Sequence, residues 1–107
     1  MSEQRLFETD EFARALKRLP ADDVEFVQAK LLRHAYRQLR EMPFHGTNIR
    51  KLRGYDPAPY GRSLTPATWR YRIGRYRVFY HVDETAGVVY LLTLERRGDA
   101  YRPGGTR

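Results

Sequence analysis

The stretch Trp69–Val82, WRYRIGRYRVFYHV, decides the fold. Rings and aliphatics alternate with polar residues on both sides of Gly74, and in a strand neighbouring side chains point to opposite faces. Gly74 therefore reads as the tight turn of a hairpin whose strands run over Trp69–Ile73 and Arg75–Asp83. On the second strand Tyr76, Val78, Tyr80 and Val82 make one set, suited to packing beneath helices, while Arg75, Arg77, Phe79 and His81 make the other. On the first strand the sets are Arg70 with Arg72 and Tyr71 with Ile73. If the strands pair through Gly74, Arg70, Arg72 and Arg77 share one sheet surface. A third strand, Val88–Glu95, follows a looser turn at residues 84–87, and its end would bring Arg96 or Arg97 to the same surface.

Working outward, Gln4–Glu8 suits a short edge strand, and Thr9 or Asp10 can cap a helix that runs until Pro20. Asp22 with Glu25 fits a capping box opening a helix over residues 23–41, in which Val24, Val27, Leu31, Ala35, Leu39 and Met42 recur at spacings of three and four. Pro43 ends it. Residues 43–68 contain four prolines and predict a loop with an extended patch at Ile49–Leu52. The tail RRGDAYRPGGTR lacks apolar periodicity and predicts irregular chain, flexible over residues 103–107. The layout is a single α+β domain over residues 1–107, ordered β-α-α-β-β-β. A helical hairpin is packed on one face of a small, mainly antiparallel sheet.

Charge is distributed unevenly along the chain. Residues 1–47 carry eight basic and eight acidic groups, whereas residues 48–107 carry twelve against five, so the whole net charge of +7 lies in the half that builds the sheet. That asymmetry points to a polyanionic partner. The chain has no cysteine, which excludes disulfides, a thiol nucleophile and thiolate metal ligands and is compatible with a reducing compartment. No secretory signal and no apolar run approaching the ~20 residues of a membrane span are visible, so a cytoplasmic protein without membrane contact is expected.

Guanidiniums gathered on one sheet face repel one another, and only Glu95 and a few loop carboxylates are nearby in sequence. A cationic surface flanked by Trp69, Phe79 and Tyr101 suits single-stranded nucleic acid, because guanidinium forks grip phosphates while rings stack on unpaired bases. Lys51 and Arg53 in RKLRG, His81 and Arg96 add to the candidate RNA-binding set. The competing reading is structural: rings in strands usually pack in a core, and a charge run is usually solvated. His34 and His45 lack a spaced carboxylate partner, no serine lies in a nucleophile elbow, and no phosphate-binding glycine loop is present. Neither a metal nor a small-molecule cofactor is expected.

The combination KLRGY, WRYRIGRYRVFYHVDE and VVYLLTLERRGDAYR resembles the RelE/ParE superfamily of bacterial toxins from toxin–antitoxin modules, over roughly residues 5–102. The resemblance implies inhibition by a cognate antitoxin and, in the RelE-like branch, metal-independent cleavage of mRNA on the ribosome. Carried onto this sequence, it implies a catalytic set of Arg70, Arg72, Arg77, Arg97 and Tyr101. Arg70 and Arg72 stand where that branch often has lysines. Arginine keeps its proton and so can neutralise charge but cannot act as a base. Proton transfer then falls to Tyr101, whose phenolate nearby guanidiniums would favour, or to His81. Two alternatives stay open: a ParE-like, non-nucleolytic gyrase inhibitor, and an RNA-binding module without catalysis.

Overall fold

The computed structural model describes residues 3–52 and 69–96. The elements are β1 (Arg5–Glu8), α1 (Asp10–Lys17), α2 (Ala21–Lys30), a π-helical turn (Leu31–Ala35), α3 (Tyr36–Glu41), β2 (Ile49–Lys51), β3 (Trp69–Ile73), β4 (Tyr76–Asp83) and β5 (Val88–Arg96). The five strands form one sheet in the order β1-β5-β4-β3-β2. β1 pairs with β5 in parallel and the other pairings are antiparallel. The expected α+β layout is present, and the extended patch becomes β2, an edge strand of three residues. The irregular loop expected beyond residue 52 and the tail lie outside the described residues.

The first helix starts as anticipated. Thr9 Oγ1 accepts from the Phe12 N–H at 3.1 Å, satisfying one of the orphan donors of the first turn. The same hydroxyl donates to the Leu91 carbonyl at 2.8 Å, which ties the helix start to β5. The second helix departs from expectation. Asp22 does not cap it: the helix begins at Ala21 behind Pro20, which makes no side-chain cap. Pro20 has a φ of −55°, already set for helix entry. Asp22 and Asp23 fall in the first turn, where carboxylates meet the positive end of the helix dipole.

Residues 21–41 form a continuous rod interrupted by the π-turn. Val27, Leu31, Ala35 and Leu39 are all buried and follow one another at intervals of four. An α-helix has about 3.6 residues per turn, so a stripe spaced by four drifts around a straight helix. The wider π-turn returns it to the sheet. Met42, expected on the stripe, is exposed because the helix has ended by then.

That stripe packs with Phe12 and Leu16 against Tyr71, Ile73, Val78, Tyr80, Val89, Leu91 and Leu94 on one face of the sheet. Burying each such side chain contributes about 1.5–3 kcal/mol, which makes this face the main source of stability. The outer face carries a second, small cluster: Phe79 and Leu92 are buried, with Leu52 and Tyr90 against them. The β4–β5 register shifts between Phe79 and Tyr80, since Phe79 pairs with Thr93 and Tyr80 with Leu91. Leu92 is the extra residue, a bulge that leaves it on the outer face beside Phe79.

Candidate nucleic-acid interface

Cross-strand register assembles the site. Arg50 of β2 stands opposite Arg70 of β3, and Arg72 of β3 stands opposite Arg77 of β4. All four face away from the helices, because their strand neighbours Ile49, Tyr71, Ile73, Tyr76 and Val78 pack on the helix side. Arg50 and Arg72 are exposed, Arg70 is half-buried and Arg77 is 7% exposed. The Asn48 carbonyl helps fix the array: it accepts from the Arg72 backbone N–H at 2.9 Å and from Arg70 Nη1 at 3.3 Å. Glu95 stands opposite Arg77 on β5. Among the described residues the array is thus two cross-strand arginine pairs, opposite by register, with Glu95 beside them.

Arg50 is a member of the array that the sequence-based set omits. Its signal lies in the alternation Ile49-Arg50-Lys51-Leu52, which puts Arg50 and Leu52 on one face once β2 is recognised as a strand. His81 also lies on the outer face, half-buried opposite Tyr90, and its Nδ1 is buried without a hydrogen-bond partner among the described residues.

Other candidate residues are placed differently from expectation. Trp69 pairs with Tyr80 and with Lys51, which puts both Trp69 and Lys51 on the helix side of the sheet. There Trp69 packs on Phe44, with ring centroids 5.2 Å apart, and the Lys51 ammonium sits 5.9 Å from its ring. The same period of two that carries Arg70 and Arg72 outward carries Trp69 inward with Tyr71. Arg96 pairs with Tyr76, again on the helix side, and so does not join the guanidinium array. Phe79 does lie on the outer face but is fully buried, so it fills the second core instead of offering a stacking surface. Arg53, Arg97 and Tyr101 lie outside the described residues.

Three described phenols are held neutral by their surroundings. Tyr80 donates to the Pro43 carbonyl at 2.6 Å, and burial raises its pKa well above the ordinary tyrosine range. Tyr36 is raised likewise, first by burial and then by its hydrogen bond to the Glu8 carboxylate. Tyr76 is raised chiefly by donating to Asp23 Oδ2 at 2.5 Å, with burial adding to it. None of the three supplies a phenolate near neutral pH. Among the described residues no group of three His, Asp or Glu side chains could hold a metal ion, and no helix is long and apolar enough to cross a membrane.

The described residues thus form an α+β protein, an open five-stranded sheet with helices on one face and arginines on the other. The chain belongs to the ParE toxin family of type II toxin–antitoxin systems, within the RelE/ParE superfamily, the family model matching residues 8–101. Its fold is similar to that of the toxin–antitoxin complex RelBE2 from Mycobacterium tuberculosis, with a TM-score of 0.61 and 23% identity over 89% of this chain and 99% of that one. It is also similar to the archaeal RelE–RelB complex from Pyrococcus horikoshii, with a TM-score of 0.60 and 24% identity over 92% and 98% of the two chains. A mutant of the E. coli toxin RelE in the free state gives a TM-score of 0.54 and 22% identity over 94% and 88%. A search of curated proteins found no match.

Proposed function

We propose that the chain is a RelE-like endoribonuclease toxin that cleaves mRNA on the ribosome in the cytoplasm and is held inactive by a cognate antitoxin. The observation that carries this reading is the two pairs of like-charged cross-strand neighbours, Arg50 with Arg70 and Arg72 with Arg77, on one sheet face. Like charges directly opposite one another disfavour a sheet, and two such pairs side by side, with Glu95 as the carboxylate beside them, support the reading of an anion-binding face. The antitoxin follows from the family and from the toxin–antitoxin complexes that share the fold.

In the proposed reaction the 2′-hydroxyl oxygen bonds to the adjacent phosphorus and the bond from phosphorus to the 5′-oxygen breaks. The 2′ proton passes to a base and a proton reaches the departing oxygen, leaving a cyclic phosphate and a 5′-hydroxyl. Arg72 and Arg70, with Arg77 behind them, neutralise the charge that grows on the phosphorane oxygens. The arginines stay protonated throughout, so a different group must move the protons. His81 is the described candidate on that face, and by resemblance Tyr101 and Arg97 complete the set.

A translation reaction with primer-extension mapping tests the proposal. Wild type should cut mRNA, and the exposed Arg72→Ala should lower the cleavage rate by roughly 10²-fold or more without changing the melting temperature. Uncut mRNA in a translation-arrested reaction would sink the nuclease reading. The second reading, a ParE-like gyrase inhibitor, is favoured by the ParE description of the matching family model. It predicts inhibition of gyrase supercoiling with mRNA left intact.

A further inference from the structure

A second cationic feature lies outside the guanidinium array. The rod of residues 21–41 carries two polar rows beside its buried stripe, each also spaced by four: Lys30, His34 and Gln38, and Arg33, Arg37 and Glu41. The π-turn that keeps Leu31, Ala35 and Leu39 on the core acts on these rows too, since all lie on the same rod. The rows face the edge of the sheet across two adjoining clefts. One, of about 330 Å³, is lined by Lys30, His34, Asn48, Tyr71 and Arg72 among others. The next, of about 390 Å³, is lined by Arg33, His34, Arg37 and Glu41 and shares Asn48 and Tyr71 with the first.

The groove is charged in one sense. Among the described residues its one carboxylate, Glu41, is bridged to Arg37 at 3.3 Å, and Gln38 is already committed to the Met42 and His45 carbonyls. Lys30, Arg33 and His34 are exposed at its rim. Arg72 belongs to both features: it is part of the guanidinium array by register and it lines the first cleft, because β2 stops at its partner for Tyr71 and leaves this end of β3 uncovered. The two cationic surfaces therefore meet at the sheet edge.

We infer that the groove is a phosphodiester track that continues the proposed RNA path from the outer face, around the sheet edge at Arg72, and along Lys30, Arg33, His34 and Arg37. This rests on the ribonuclease reading above and extends the length of RNA the protein holds. The lining favours a nucleic-acid backbone over an amphipathic peptide helix. Such a helix in a groove is anchored by apolar side chains, and the described lining offers charge with Tyr71, already buried in the core, and Ile73, also buried, as its large apolar residues. A phosphate backbone needs positive charge and hydrogen-bond donors, which the groove supplies.

The test is binding to 2′-O-methylated single strands, which cannot form the cyclic phosphate, at lengths of about 4 and about 14 nucleotides. Wild type should bind the longer strand more tightly. The triple variant Lys30→Ala, Arg33→Ala, Arg37→Ala should lose that gain, with a slope of log affinity against log salt shallower by about 2. Arg14→Ala, Lys17→Ala, Arg18→Ala, which removes the same charge from positions on and just after α1, should keep it, and circular dichroism should show all proteins folded. Equal losses in the two triple variants, or an unchanged length dependence in the groove variant, would overturn the track. So would a groove variant that fails to capture a co-expressed acidic antitoxin yet keeps the RNA slope. If Arg70→Ala weakens the short strand while the groove variant changes nothing, the track fails and the ribonuclease reading survives. If wild type binds neither strand, the track fails, and the translation reaction decides the ribonuclease reading separately.

Discussion

Tyr80, Tyr76 and Tyr36 show how single groups set the chemistry available to this molecule. Each phenol is held neutral, and each bond joins elements far apart in sequence: Tyr80 to Pro43, Tyr76 to Asp23, Tyr36 to Glu8. Their folded pKa values lie above the unfolded value of about 10. The stabilising effect is therefore complete below about pH 10 and is lost as pH rises, because the unfolded phenols ionise first. Urea midpoints should fall between about pH 9 and pH 11.5, and Tyr80→Phe should flatten that fall. At neutral pH the same variant leaves the buried Pro43 carbonyl without its donor and should cost about 1–3 kcal/mol in denaturant melts, with RNA cleavage unaffected.

At the scale of elements, junctions matter more than propensity. Thr9 accepts from Phe12 N–H and donates to Leu91, so it caps α1 and fastens it to β5 at once. Thr9→Ala should destabilise by about 1–2 kcal/mol in thermal or urea melts, and Thr9→Ser should recover most of the loss. Gly74 turns β3 into β4 at a φ of +58°, and a Cβ there would meet the Phe26 ring at 3.0 Å. Gly74→Ala should cost about 1–2 kcal/mol from the left-handed backbone alone, with the ring contact in addition. In a Phe26→Ala background the ring contribution should vanish while the backbone cost remains, which a double-mutant cycle measures.

For the whole molecule, the helix-covered face of the sheet holds the larger core, and the other face sets arginines opposite one another beside a smaller apolar cluster. Arg50 is exposed and directly opposite Arg70, so Arg50→Glu replaces repulsion by attraction. It should leave the protein as stable or stabilise it by no more than about 1 kcal/mol in melts, because solvent screens the pair. RNA affinity should fall, with a salt slope shallower by about 0.7 for each phosphate that the variant no longer neutralises. Stability and binding moving in opposite directions is the signature of charge kept for a ligand. A variant that loses stability and keeps affinity would place Arg50 in a structural role instead.

Short-range pattern was sufficient for much of this. Alternation around Gly74 determined the hairpin and the outward direction of Arg70, Arg72 and Arg77, since the period of a strand leaves a side chain only two choices. Applied consistently it also sends Trp69 inward, and applied to Ile49–Leu52 it sends Arg50 outward. Local pattern could not show that β2 would pair with β3 and bring Arg50 against Arg70. Nor could it show that the β5 bulge would place Leu92 beside Phe79 and bury a ring that looked free to stack. The groove along Lys30 and His34 depended on where a helix with an inserted π-turn meets a short edge strand. Those outcomes are long-range, fixed by which strands become neighbours and how much of each edge stays uncovered. Side-chain direction is local geometry, and could be read residue by residue.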